Sequence, residues 1–350
     1  MKEVVIVGGT RTAIGDFGGS LKDIQPLDLA QHVIKDVLTR ATAQPNQIDK
    51  TIFGCCFAPT EQNITRSAAF KAGIPEEVPG FTVNGTCGSS IQAIISGTQS
   101  ILCGESDAIL AGGVESMSNA PYLLPRARQG LRMGHATLYD HMFLDGLEDA
   151  YDKGRLMGVF AEQCADKYGF TREAQDAFAT ASVQRAKAAT ASGAFATEIT
   201  PVTVKGRAGE VVVSIDEGPG KVKLDKIPTL KPAFKKDGTI TAANASQICD
   251  GASGVMVVSE RGLKTLGVQP LARVHHMSLM GHDPVIMLEA PVPATAAALK
   301  KAGATHYLVP VTDAGHGIPV GPELAGRIQK FWDLYLRDQK AEIATTAIAP

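Results

Sequence analysis

The chain has 350 residues, 44% hydrophobic and 20% charged, with a formal net charge of −2. That balance describes a globular protein with large cores, long enough for two domains or two fused halves. The absence of any basic block excludes a nucleic-acid or membrane surface as its partner.

The N-terminus is a charged start followed at once by a short apolar run, Val4–Val7, which reads as a buried strand ending at Gly8-Gly9. That run is too short for a signal peptide, and no stretch reaches the length of a membrane-spanning helix. Leu27 to Arg40 reads as a helix with Ala30, Val33, Ile34, Val37 and Leu38 on one stripe. Thr51–Gly54 is a second strand. Residues 88–103 form a helix rich in Ser, Ala and Gly, and Asp107–Ala111 is the strand after it. Strands alternating with helices predict an α/β layer architecture with mostly parallel sheets.

From about Asn119 to Ile240 the pattern changes to a loop-rich stretch with two helices, Met157–Tyr168 and Thr171–Ala191, the second with Thr171 as N-cap. Gly218-Pro-Gly220 and Lys235-Lys-Asp-Gly238 punctuate turns. Alternation resumes with a strand at Gly254–Ser259 and a helix at Pro293–Ala302. Beyond these, His306–Val311 reads as a strand and Glu323–Arg337 as a helix.

Six cysteines, at 55, 56, 87, 103, 164 and 249, form no CxxC pair and no disulfide-scaffold spacing. They fit a reducing compartment, and a cytoplasmic protein is expected. Cys87 carries the chemistry. An extended run, Phe81-Thr-Val, turns through Asn84-Gly-Thr86 and leads straight into the helix, so Cys87 falls at its first turn. Free N–H groups and the positive end of the dipole there favour a thiolate, an activated nucleophile for acyl transfer. The competing reading is a small buried hydrophobe, which most cysteines are.

Asn84-Gly-Thr-Cys-Gly-Ser-Ser-Ile-Gln-Ala93 resembles the nucleophile motif of thiolases. In chain order, Gly8-Gly-Thr-Arg-Thr-Ala-Ile-Gly15, Ala111-Gly-Gly-Val-Glu-Ser-Met-Ser118, Thr171–Phe178, Leu230-Lys-Pro-Ala-Phe234 and Thr241–Gly251 match the same family. The resemblance runs from Met1 to about Gly303. It implies a thiolase-like α/β fold, layered αβαβα, of two βαβ-rich halves plus a loop domain. Residues 1–118 would be the nucleophile-bearing half and 119–240 a loop domain over the acyl-CoA site. Residues 241–350 would be a second half, apparently incomplete and atypical from about 304. The implied activity is that of an acetyl-CoA C-acetyltransferase, forming or cleaving 3-ketoacyl-CoA through a Cys87 acyl-enzyme. Coenzyme A and acyl-CoA would be substrates, with no permanently bound cofactor and no metal. A homodimer or homotetramer is expected. Met157, Phe234, Ala242 and Ser246 match positions along the pantetheine arm. Simple packing for Phe234 and a helix cap for Ser246 are the alternatives.

The family pattern fails in places. No Asn-Glu-Ala-Phe motif occurs, and no cysteine or glycine-rich loop follows Cys249. Gly315-His-Gly-Ile-Pro-Val-Gly321 loosely resembles the family's Gly-His-Pro motif, which would make His316 the general base for Cys87. A loop or capping histidine is the alternative. That segment is also similar to the C-terminal histidine segment of α/β-hydrolases, but no Gly-x-Ser-x-Gly elbow accompanies it. A catalytically impaired acyl-CoA-binding protein and an acyl-CoA hydrolase are therefore the alternative functions. Leu156 replaces the histidine that often precedes Met-Gly in the family. Gly218-Pro-Gly220 replaces a CoA-phosphate arginine, leaving Lys221 or Lys223 as substitutes. No carboxylate or cysteine accompanies His275, His276 and His282 in ligand spacing, so a metal site is not expected there.

Overall fold

The computed structural model describes residues 3–58, 60–206 and 209–301. Its strands are β1 (Val4–Arg11), β2 (Gly15–Asp16), β3 (Lys50–Gly54), β4 (Gly80–Val83), β5 (Ala108–Ser116), β6 (Tyr122–Leu123), β7 (Tyr139–Asp140), β8 (Val202–Gly206), β9 (Gly209–Val213), β10 (Cys249–Ser259) and β11 (Ala272–Arg273). Its helices are α1 (Pro26–Arg40), α2 (Ile64–Lys71), α3 (Ser89–Cys103), α4 (Met157–Tyr168), α5 (Arg172–Ala191), α6 (Glu217–Lys221), α7 (Glu260–Leu266) and α8 (Pro291–Lys301). The described residues divide into two compact units: residues 3–155, 183–222 and 247–274, and residues 156–182, 223–246 and 275–301.

The first unit is built on a sheet of order β11-β1-β10-β5-β3-β4, with β2 also paired to β10. Each central strand presents alternate side chains to opposite faces. On one face Phe53, Leu110, Met256 and Val258 join Leu29, Val33, Ile34 and Val37 of α1. On the other, Ile52, Ile109, Ala111 and Val257 join Ala93 and Ile101 of α3. Burying each such aliphatic side chain contributes about 1.5–3 kcal/mol, so α3 is clamped along its length to the sheet that carries the site.

The sheet is mixed, which corrects the expectation of mostly parallel strands. The units β3-α2-β4 and β4-α3-β5 do make β3 parallel to both β4 and β5. But β10 enters between β1 and β5 and runs antiparallel to both. Its position follows from no local crossover: more than a hundred residues separate it from either neighbour, so strand–helix alternation carries no information about its direction.

The second unit is helical around α4. Glu162, only 2% exposed, sits on that helix. Its carboxylate accepts the backbone N–H groups of Thr239 (2.9 Å) and Ile240 (2.8 Å) and the Thr239 hydroxyl (3.2 Å). Lys167 of α4 pairs with Glu289 at 2.9 Å. Thr171 caps α5 as predicted, accepting the N–H of Ala174 at 3.2 Å. No helix among the described residues is long and apolar enough to cross a membrane.

Candidate active site

Between the end of β4 and the start of α3 the chain makes a tight turn, Asn84 to Gly88, and Cys87 lies on it, exposed. The reading of Cys87 as a buried hydrophobe therefore falls. Three local bonds shape the turn. Asn84 Oδ1 accepts the N–H of Thr86 at 3.1 Å, Ser89 Oγ accepts that of Gly85 at 2.9 Å, and Ser89 Oγ–H donates to the Thr86 carbonyl. Thr86 is held at φ 51°, left-handed backbone that a side-chain-bearing residue adopts only at a cost of about 1–2 kcal/mol. Gly88 is the N-cap position of α3, so the sulfur stands beside the helix end whose first N–H groups lack intrahelical acceptors.

Two strand glycines let the start of α3 press onto the sheet. A Cβ on Gly54, the last residue of β3, would lie 2.5 Å from the Ser89 backbone carbon. One on Gly113 of β5 would lie 1.9 Å from Ser90 Oγ. Both glycines are required by close approach: α3 starts in contact with bare backbone.

A second loop, Cys55-Cys56-Phe57, flanks the turn, and it was not singled out by sequence reasoning. Glu115, near the end of β5, accepts the backbone N–H of Cys56 at 2.8 Å and of Phe57 at 2.9 Å, with Cys55 Sγ at 3.6 Å. Burial raises the Glu115 carboxyl above its ordinary value, opposed by those two N–H donors. Cys56 Sγ donates to the Thr86 carbonyl at 3.2 Å and lies 3.6 Å from Ser89 Oγ. Burial, with the Glu115 charge adding to it, pushes the Cys56 thiol up to about 11. Burial and Glu115 also push the Cys55 thiol upward. Both therefore remain thiols at neutral pH. The available signal was a carboxylate closing the otherwise apolar run Ala108–Val114.

The second unit gathers Met157, Phe234, Ala242 and Ser246 around α4 and the loops beside it. Met157 is the first residue of α4 and is half-buried. The Phe234 ring packs on the next residue, Gly158, where a Cβ would meet it at 2.2 Å. The loop held by Glu162 continues into Thr241–Ser246. There Asn244 Oδ1 accepts the N–H of Thr241 at 2.7 Å, and Asn244 Nδ2 donates to the Thr239 carbonyl at 3.1 Å. Ala242 and Ser246 are exposed on that turn. Ser246 precedes strand β10 rather than a helix, which removes its helix-cap reading.

His316, like the rest of the segment beyond residue 301, lies outside the described residues. Lys221 is engaged in ion pairs with Asp16 at 2.6 Å and Glu217 at 3.3 Å. His275 and His282 are exposed. The enclosed ring nitrogens of His276 find no partner among the described residues. No group of three or more His, Cys, Asp or Glu side chains among the described residues could hold a metal. A cleft of about 260 Å³ lined by Glu3, Ile101, Gly104, Asp107 and Arg261 opens at the C-terminal end of α3. At about 1.5 Å per residue the helix separates it from Cys87 by roughly 20 Å.

The sequence profile of the thiolase N-terminal domain matches residues 4–261. An acetyl-CoA acetyltransferase of Pseudomonas aeruginosa is 45% identical over 336 residues, covering 95% of this chain and 85% of that protein. A probable acetyl-CoA acyltransferase of Staphylococcus aureus is 45% identical over 304 residues, 86% of this chain and 77% of that protein. The crystal structure of the Bacillus anthracis acetyl-CoA acetyltransferase superposes with a TM-score of 0.83 at 41% identity, covering 88% of this chain and 78% of that one. The strained turn that presents Cys87, the mixed sheet beneath it and these likenesses lead to one conclusion: the chain belongs to the thiolase family.

Proposed function

We propose that this protein is an acetyl-CoA C-acetyltransferase that forms or cleaves acetoacetyl-CoA and related 3-ketoacyl-CoA thioesters. One observation carries the reading: an exposed cysteine on a strained turn, immediately before the N-terminus of a helix packed on the sheet. In the degradative direction the Cys87 sulfur attacks the 3-keto carbonyl. The bond between C2 and C3 breaks, the proton taken from the Cys87 thiol is returned to C2, acetyl-CoA leaves, and the acyl group stays on the sulfur as a thioester. The thiol of a second CoA then attacks that thioester and restores Cys87. In the synthetic direction the base takes a proton from C2 of acetyl-CoA, and the resulting carbanion attacks the acyl-enzyme thioester, releasing the Cys87 sulfur, which takes that proton. His316 is the general base in this scheme, taking the thiol proton of Cys87. Backbone N–H groups such as those at the start of α3 stabilise the oxyanion of each tetrahedral intermediate.

Met157, Phe234, Ala242 and Ser246 are assigned to the pantetheine arm. Their support is that all four lie on α4 or on loops held by it, apolar at Met157 and Phe234 and open at Ala242 and Ser246. A homo-oligomer is part of this reading. The strand leading to Cys87, β4, lies at a sheet edge with Phe81 43% exposed, a surface suited to a second copy; light scattering of the purified protein measures it.

The test is incubation with acetoacetyl-CoA followed by intact and peptide mass measurement. An acetyl adduct on Cys87 is expected, and Cys87→Ala should carry none and lose at least about a thousandfold in thiolysis. A folded protein without the adduct overturns the reading. Free acid released without added CoA points to hydrolysis instead.

A further inference from the structure

Glu115 is a half-buried carboxylate that the acyl-transfer scheme leaves unused, and its surroundings are specific. Two consecutive backbone N–H groups, of Cys56 and Phe57, converge on its two oxygens at 2.8 and 2.9 Å. Without that acceptor both donors would lose their partner in a largely buried loop, at a cost of about 1–3 kcal/mol each. The far side of the loop is pinned as well. The Phe57 ring meets the His141 ring edge-on at 5.6 Å between centroids. Gly146 lies so close to Phe57 that a Cβ there would sit 2.2 Å from its Cζ. Cys56, fixed between these anchors, donates its thiol to the Thr86 carbonyl, the residue held at φ 51° directly before Cys87. All of these residues lie in the first unit.

We infer that Glu115 is a positioning residue for Cys87, acting through the Cys56–Phe57 loop to hold the left-handed turn at Thr86. The inference rests on the reading of Cys87 as the nucleophile. A carboxylate suits the task because one side chain offers two parallel acceptors to two neighbouring N–H groups. A glutamine offers one oxygen and turns an N–H donor toward the other. The loop then shifts, and with it the contact on Thr86. Displacement of a reacting atom by an ångström is enough to cost tenfold or more in rate.

The experiment uses Glu115→Gln in the full chain, with two readouts. One is the rate at which iodoacetamide alkylates Cys87, followed on the Cys87 peptide. The other is steady-state thiolysis of acetoacetyl-CoA. The expected result is a fall of about tenfold in alkylation rate and in kcat, with KM within about twofold, in protein whose circular dichroism matches the parent. Unchanged alkylation and kcat in folded Glu115→Gln overturn the inference. If that variant does not fold, Cys56→Ser and Cys56→Val decide. Serine keeps the donor to Thr86 and should hold the parent rates, while valine should lose them; equal rates overturn the inference. Alkylation needs no acyl transfer. An enzyme that forms no acetyl adduct, yet whose Cys87 reactivity still depends on Glu115, would fail the functional reading alone.

Discussion

Each of the two units holds a loop by the same device, and they differ in what the held loop does. In each, one carboxylate with little solvent exposure accepts two consecutive backbone N–H groups of a neighbouring loop: Glu115 those of Cys56 and Phe57, Glu162 those of Thr239 and Ile240. In the first unit the held loop buttresses a strained turn, and the chain just after that turn rests backbone to backbone on the strand at Gly54. In the second the held loop itself runs into Ala242 and Ser246, two positions proposed for the pantetheine arm, and the close approach at Gly158 is to a side chain, the Phe234 ring. Backbone against backbone leaves no freedom to adjust. A ring against a helix can swing. Cys87 therefore stands on the rigid part, and the residues proposed for the flexible pantetheine arm on the adjustable one.

The largest separation should come from two glycine substitutions. Gly54→Ala places a Cβ 2.5 Å from the Ser89 backbone carbon, and α3 must move. A loss of about 3 kcal/mol in denaturant unfolding is expected, together with about a hundredfold in kcat. Gly158→Ala meets only the Phe234 ring, so it should cost about 1 kcal/mol and show mainly as a raised KM for acyl-CoA. Equal effects of the two would end the distinction between a rigid and an adjustable half.

Next in size is the matching exchange at the second carboxylate. Glu162→Gln leaves one of two enclosed N–H groups without its acceptor, at about 1–3 kcal/mol in thermal or urea unfolding. It should raise KM severalfold and leave iodoacetamide alkylation of Cys87 at the parent rate, the reverse of the pattern expected for Glu115→Gln. Slower alkylation in Glu162→Gln would show that the two loops are not independent.

The smallest effect is one of pH and concerns the first unit alone. Burial works against ionisation of Glu217, but the backbone N–H groups of Ser20 and Asp16, together with Lys221, outweigh it and hold the carboxyl down to about 2. A carboxyl lowered on folding adds stability that is full above its unfolded value, about 4.3, and is lost as pH falls through the folded one. Glu217→Gln should therefore flatten the acid limb of stability between roughly pH 4.5 and 2, measured by urea midpoints, and leave activity near neutrality unchanged. An unaltered acid limb would remove Glu217 from the account.

Much of this was legible in the chain because it depends on neighbours in sequence. The apolar stripe of α1, the bounds of α3 and α4 and the Thr171 cap are local patterns, and the structure reproduces them. The position of Cys87 at the entrance to α3 was legible for the same reason. Glu115 and Glu162 were not. Each acts on backbone groups 59 and 77 residues away in sequence, and no spacing rule connects a carboxylate to N–H groups at such a distance. The antiparallel insertion of β10 was hidden likewise, since a strand's direction depends on the partner it meets rather than on its own residues.

By itself, then, the sequence determined the family, the α/β class and the place of Cys87 at the entrance to α3, because motifs, periodicity and turn chemistry are written in contiguous residues. Only the tertiary structure decided that Cys87 is exposed, that Thr86 before it is left-handed, that glycines on two strands admit the helix, and that two carboxylates hold loops remote from them in sequence. The physical reason is that exposure, close approach and the pairing of backbone N–H groups come into being only when segments distant in the chain are packed against one another.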